Sequence, residues 1–386
     1  MRKLLIILVL TFFSLTLNAQ RDSSGLRISV LTCAAGGEIY SAFGHCAFRV
    51  VDIEKGIDKV YNYGTFSYNQ PYFVLKFVKG FLNYSLSAYP YVYFYREYAT
   101  DLRQVREQVL NLNETQKKSL YEFLEWNALP ENRYYKYNFL EDNCATKIRD
   151  ILNNVCGKSI IFPDENYSFS LRDQINSRIG DMPWFRFGVS LLMGLPVDKK
   201  ADSRTIQFLP DFVYWELQKT EITEGGSVRP VVATENILVK TDKPVDRTDF
   251  TTYCSPFLVF SLLFAVLAVV TFYEVKKHIH RKLIDVFVLF ITGLFGILFF
   301  VMWFFTEHTV TAWNMNLLWA CPLHVVAAFK TRSESGFWKK YFFVTAVLTA
   351  VMLFLGPLMP QQYDIAFYPV LCIILLRLVR VAFCQK

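Results

Sequence analysis

The chain has 386 residues, room for more than one domain, and it is strongly apolar: 17% aromatic, only 19% charged, with a positive mean hydropathy. Its net charge of +7 gives no reason to expect a nucleic-acid partner. From Cys254 onward 11 Lys/Arg face 5 Asp/Glu, and with Arg2 and Lys3 also set aside the rest carries 28 basic against 29 acidic residues. The eight cysteines show no CxxC or Cys/His spacing, which argues against a zinc site and leaves no cofactor implied.

In chain order, Arg2 and Lys3 precede an apolar run from Leu4 to Leu17, followed by Asn18-Ala19-Gln20. This predicts a secretory signal peptide over residues 1–19, cleaved after Ala19, because the run is short for a bilayer span. A retained anchor is the alternative. "LRISVLTC" (26–33), "CAFRVVD" (46–52) and "DKVYNYGTF" (58–66) alternate as strands, the last two joined as a hairpin through "IEKGI". "NETQKKSLYEFLEWNAL" predicts a helix with Asn113 as N-cap, and "CATKIRDILNNVCG" a second, closed by Gly157. "SVRPVVATENIL" predicts a strand or linker toward the membrane. Cys33 and Cys46 are candidates for a disulfide, though their small and apolar neighbours read more simply as those of buried thiols.

Five apolar stretches follow: Ser255–Tyr273, Ile284–Phe305, Ala312–Phe329, Tyr341–Met359 and Ile365–Phe383, each about 20 residues, enough to cross a bilayer. Lys276, Lys277, Arg281 and Lys282 fill one connecting loop, and Lys330, Arg332, Lys339 and Lys340 another. The loops Thr306–Thr311 and Pro360–Asp364 have no Lys or Arg, and Arg377, Arg380 and Lys386 mark the C-terminal end. The positive-inside rule then places the C-terminus in the cytoplasm and everything before residue 254 outside it. The expected organisation is a catalytic core over 20–162, an extension of the exported domain over 163–253, and a membrane domain over 254–386.

Chemistry concentrates in two stretches. His45, in "YSAFGHCAFRV", is the only histidine in the first 277 residues. Cys144, in "NFLEDNCATKIRD", opens a helix that Asp142 or Asn143 can cap. A thiol in a first helical turn is acidified by the helix amides, which can also hold an oxyanion, and an imidazole completes a nucleophile–base pair. A third polar group to orient the histidine comes from the returning hairpin strand: Asn62 if the turn is tight, with Asp58 and Tyr63 as alternatives. Glu307 and His308 in an outside loop, with Trp313, Asn314 and Asn316 at the start of the third span, are too polar for a mere anchor. They are candidates for a lipid-facing entrance, or for belt and helix-packing roles.

The order strand-His, polar hairpin return, then Asn-Cys at a helix start resembles circularly permuted papain-like enzymes of the NlpC and lecithin:retinol acyltransferase kinds. "TCAAGGEIYSAFGHCAFRVVD", "DKVYNYGTF", "FVLKFVKGFLNYSL", "YNFLEDNCATKIRD", "GLPVDKKADSRTIQFLPDF" and the five-span tail together resemble the Bacteroides-type lipoprotein N-acyltransferase family, Lnb, over nearly the whole mature chain. The resemblance implies an α+β fold: a permuted papain-like domain followed by an all-α bundle of about five transmembrane helices in the inner membrane. It also implies a thiol acyltransferase with Cys144 as nucleophile and His45 as base. The third position falls to Asn62 by hairpin alignment only, with Asp58 and Tyr63 as alternatives, and Asn143 and Tyr63 are candidates for binding or supporting roles. The implied partners are a phospholipid or lipoprotein acyl donor, a lipoprotein acceptor and the membrane. A membrane-anchored cysteine peptidase or amidase acting on wall peptides, and a non-catalytic assembly module, are the other classes the residues allow.

Overall fold

A register set by alternating side chains organises the N-terminal half. The computed structural model describes residues 25–383 except 67, 68, 70, 82, 242, 244 and 249, so the expected signal peptide, Cys384 and Lys386 lie outside the described residues. Strands β1 (Leu26–Cys33), β2 (His45–Asp52), β3 (Ile57–Thr65), β4 (Asn83–Pro90), β5 (Val105–Leu110), β6 (Tyr134–Lys136) and β7 (Val232–Val239) form one antiparallel sheet in the order β7-β5-β1-β2-β3-β4-β6. Ile28, Val30, Phe48 and Val50 face one side, and Leu31, Ala47 and Val60 the other. Both faces are therefore buried, and in β1 only Arg27 is exposed.

After the short helix α1 (Phe73–Lys79), three helices dress this sheet: α2 (Tyr91–Thr100), α3 (Glu114–Ala128) and α4 (Cys144–Cys156). Phe94 and Tyr98 of α2 pack on the Leu31 face, while Leu120 and Leu124 of α3 and Ile148, Ile151 and Leu152 of α4 pack on the Ile28 face. The expected caps are present. Asn113 closes a capping box with Gln116, and Gly157 leaves α4 with φ of 57°. Cys33 and Cys46 are buried free thiols rather than a disulfide. The region 163–253 is interlocked with the core. It contributes β7, which covers the β5 edge that would otherwise offer unpaired main-chain groups.

In the C-terminal half, α5 (Pro256–Lys276), α6 (Lys282–Phe304), α7 (Gly336–Leu355) and α8 (Phe367–Phe383) are the long helices. Pro256–Lys276, Lys282–Phe304 and Gly336–Leu358 are long and apolar enough to cross a membrane. The expected third span departs from expectation. Ala312–Phe329 forms no long helix, only the short turns Met315–Leu318, His324–Ala327 and Ala328–Lys330. Asn314 and Asn316 both donate to Leu191 O, at 2.8 and 2.9 Å, and Asn314 Oδ1 accepts from Asn316 N–H at 3.0 Å. Side chains competing for main-chain partners, together with Pro322, break the helical ladder.

The broken segment still runs antiparallel along α6. Thr311 Oγ1 donates to Met302 O at 2.8 Å, and a Cβ on Gly296 or Gly293 would collide with Ala320 O or Val325 N. Arg332 Nη2 reaches His280 O at 3.1 Å. Irregular backbone at membrane depth is tolerated when it is buried in protein. Beside it, Arg377 is fully buried and reaches Thr271, Glu274 and Asp285, each at 2.7 Å, while His280 also bonds Asp285.

Candidate functional site

The N-terminal domain sits on two loops of the membrane domain. Arg186 pairs with Asp364 at 2.8 Å, Gly194 N–H donates to Val310 O at 2.9 Å, and Asn138 Nδ2 donates to Thr309 Oγ1 at 3.3 Å. These are the loops expected to lie on the same side of the bilayer as the N-terminal domain. The Lys/Arg-rich loops meet each other at the opposite end, through Arg332 and His280.

The first residue of β2 and the first residue of α4 come together at the end of the sheet. Asn143 fixes α4. Its Oδ1 accepts from Ala145 and Thr146 N–H at 2.8 and 3.0 Å, its N–H donates to Thr146 Oγ1 at 2.8 Å, and its Nδ2 donates to Phe139 O and Phe208 O at 2.8 Å each. This buried cap holds Cys144 in the first helical turn and has no polar group left for a ligand.

The Cys144 thiol lies close enough to the His45 ring that each shifts the other's protonation. His45 Nε2 bonds Asn62 Oδ1, which leaves Nδ1 as the ring nitrogen for the thiol. Asn62 is turned this way because its Nδ2 donates to Tyr89 OH at 3.2 Å. Gly64, with φ of 92°, lies against both partners: a Cβ there would stand 3.7 Å from Cys144 Cβ and 3.9 Å from His45 Cε1. A positive φ is cheap only for glycine, so the strand can shift register between Asn62 and Thr65 without moving the pair.

The electrostatics separate this thiol from its neighbours. Burial alone would raise the Cys144 pKa, but the His45 charge, the hydrogen bond to that ring and the main-chain N–H groups of Cys46 and Cys144 outweigh it and hold the thiol below its ordinary value. Burial pulls His45 down, but the Cys144 thiolate and the bonds to Cys144 and Asn62 raise it above its ordinary value. Each partner therefore shifts the other toward its charged form. Burial drives the other three thiols of this domain the opposite way: Cys33 up to about 12, Cys156 up to about 11, and Cys46 well up.

The two alternatives for the third position lie elsewhere. Asp58 pairs with Arg49 at 2.8 Å, and Tyr63 OH donates to Asn127 Oδ1 at 2.5 Å on the core side of the sheet. Sequence reasoning missed Tyr89 and Gly64; the Asn-Tyr-Gly run after the hairpin was a signal for the latter.

Cys144 and His45 open into a cavity of about 540 Å³, within the ~300–1,000 Å³ usual for small-ligand sites. Ile39, Phe43, Phe66, Phe139, Phe208 and Val310 give it an apolar wall, and Glu307 and His308 of the membrane domain close one side. Glu307 is held by Lys136 at 2.9 Å. Trp313, Asn314 and Asn316 do not line the cavity. Both asparagines are buried and bonded to the helix Pro183–Leu192, and Trp313 is 64% exposed beside Trp303. No group of His, Cys, Asp or Glu among the described residues could hold a metal ion.

Residues 14–166 match the family model described as the Lnb N-terminal periplasmic domain, and residues 247–386 match the Lnb transmembrane domain. No curated protein and no solved structure matches the chain.

Proposed function

The chain belongs to the Lnb family, membrane proteins of lipoprotein N-acylation with a periplasmic N-terminal domain, and from that premise we propose that it is a thiol acyltransferase. Its domain would be a permuted papain-like one at the outer face of the inner membrane, with the C-terminus in the cytoplasm. The observation that carries this reading is the acidified Cys144, beside His45, at the wall of an apolar cavity shared with the membrane domain.

In the first half-reaction Cys144 Sγ attacks the carbonyl carbon of an ester-linked acyl chain. The main-chain N–H groups of Cys46 and Cys144, which already face the sulfur, would receive the oxyanion. The C–O bond breaks, and the leaving alkoxide takes the proton from His45, giving an acyl thioester and a free hydroxyl. In the second half-reaction the α-amine of a lipoprotein's N-terminal cysteine attacks the thioester carbonyl. His45, now neutral, takes a proton from the nitrogen as the C–S bond breaks, leaving an amide and returning the thiolate–imidazolium pair. Asn62 keeps His45 facing the thiol throughout.

The apolar wall and the covering membrane loop support an amine rather than water as acceptor, because a thioester kept dry waits for its lipid-anchored partner. A peptidase would use the same side chains in a wetter cleft. Intact-protein mass spectrometry after incubation with phospholipid vesicles tests the reading. An acyl adduct on Cys144, consumed on adding a diacylated lipopeptide to give an N-acylated product, is expected. Cys144-dependent release of soluble wall peptide with unchanged lipopeptide would replace this reading with the hydrolase.

A further inference from the structure

The stretch Tyr72–Phe81 presents apolar side chains to solvent in an uncommon way. Tyr72, Leu75 and Val78 are 78%, 53% and 37% exposed and recur every third residue, and Phe81 just beyond α1 is 49% exposed. Leu75 and Val78, three apart, share a helical stripe, and Tyr72 and Phe81 flank it at the two ends of the helix. The helix also carries Lys76 and Lys79 and no acidic residue.

Where this face sits decides what covers it. Lys79 O accepts from Glu307 N–H at 3.0 Å, and a Cβ on Gly80 would stand 3.2 Å from Glu307 Cβ. Lys136 bridges the same junction, pairing with Glu307 at 2.9 Å and lying 5.5 Å from the Phe81 ring centroid. Glu307 follows Phe304, the last residue of α6, by only three positions, so α1 is held at the level where a membrane helix leaves the hydrocarbon. Trp303 and Trp313, with ring centroids 5.2 Å apart, mark that level as an aromatic belt.

The same stretch borders the cavity. Gly80 lines one lip, and Ile39 and Tyr40, 53% and 69% exposed, line another. We propose that Tyr72–Phe81 lies in the outer leaflet of the bilayer, its apolar face among the acyl chains and Lys76 and Lys79 at the phosphates, and that an intact phospholipid reaches Cys144 sideways past this lip. The proposal deepens the acyltransferase reading and rests on it for the identity of the reaction. It adds that the donor is taken from the plane of the membrane and not from solution.

Two measurements on the full-length protein test it. Photoreactive benzoylphenylalanine is placed at Leu75, Val78 or Val228 (the last 58% exposed, in the hairpin of Glu221–Glu224 with Ser227–Pro230), and the protein is irradiated in phosphatidylethanolamine vesicles. Lipid adducts are expected at Leu75 and Val78 and not at Val228. Separately, Leu75→Glu and Val78→Glu should slow Cys144 acylation from vesicle lipid about tenfold, while the burst with soluble p-nitrophenyl butyrate stays unchanged. Absent adducts at Leu75 and Val78, or an undiminished lipid rate in both variants, would overturn the proposal. The butyrate burst would then still report on the acyltransferase reading. Loss of both reactions would mean damaged folding, and the crosslink alone would decide. No butyrate burst on Cys144 in the unaltered protein would sink the acyltransferase reading and leave the crosslink result standing.

Discussion

Asn62 Nδ2 donates to Tyr89 OH at 3.2 Å, and this single bond decides which end of the amide meets His45. With the nitrogen so engaged, Oδ1 accepts from the ring's Nε2, and Nδ1 is left for the thiol. A tyrosine on the next strand therefore sets the working face of an imidazole that it does not touch.

Loss of that bond is a graded perturbation. Tyr89→Phe should lower kcat by roughly 2- to 10-fold, the equivalent of one neutral hydrogen bond, with KM unchanged. Asn62→Ala should cost more, since the ring then loses its orienting acceptor. If Tyr89→Phe raised KM alone, the tyrosine would be contacting substrate instead of positioning Asn62.

Removing either reacting partner should be near total. Cys144→Ala and His45→Ala are each expected to reduce acyl transfer by on the order of 10⁴-fold or more, and the double variant should be no worse than either. Cys33→Ala, Cys46→Ala and Cys156→Ala should keep substantial turnover, because burial holds those thiols protonated. Steady-state rates on a lipopeptide acceptor provide the comparison. Near-normal activity in Cys144→Ala would reassign the nucleophile.

The pH dependence of alkylation follows from the directions of the two shifts. The Cys144 pKa is lowered and the His45 pKa raised, so the thiolate forms at a lower pH than an ordinary thiol's and His45 keeps its proton to a higher one. Iodoacetamide should modify Cys144 well below the pH at which an ordinary thiol reacts. His45→Ala should move that limb upward, since it removes the neighbouring positive charge. An unmoved limb would assign the thiol's acidity to the helix amides.

Much of this pair was legible in the sequence for a physical reason. A histidine opening an alternating strand and a cysteine after an Asn cap are local patterns, and each formed where its pattern predicts. Asn62 followed from the same hairpin, whose register pairs Phe48 with Tyr61. Tyr89 was not legible, because strand β4 follows an aromatic run with no clear period. The Ala312–Phe329 span was misread as a regular helix. Hydropathy counts apolar residues, whereas Asn314 and Asn316 act through main-chain partners more than 120 positions away.

Membrane orientation can be checked with reporter fusions. Fusions near residues 309 and 362 should report the periplasm, and those near 279 and 335 the cytoplasm, in keeping with the loop charges and with the docking of the N-terminal domain on Thr309, Val310 and Asp364. A periplasmic signal near residue 279 would invert the arrangement.

Arg377→Met should destabilise the membrane domain by roughly 3–5 kcal/mol, since it leaves Glu274 and Asp285 as buried carboxylates without their common partner. Thermal unfolding in detergent would register this as a lowered midpoint. An unchanged midpoint would mean that His280 alone neutralises the cluster.

The cap on the helix that Cys144 opens reaches outside the module that bears this thiol. Asn143 donates to Phe208 O, and Phe208 and Pro210 line the cavity, yet both lie in the stretch 167–246 that neither matched family module covers. The thiol is thus aimed by a segment outside both matched modules. Grafting residues 14–166 of one relative onto the tail of another would transplant a cysteine without its aiming device, and such chimaeras should regain transfer only when the turn around Phe208 travels with the graft.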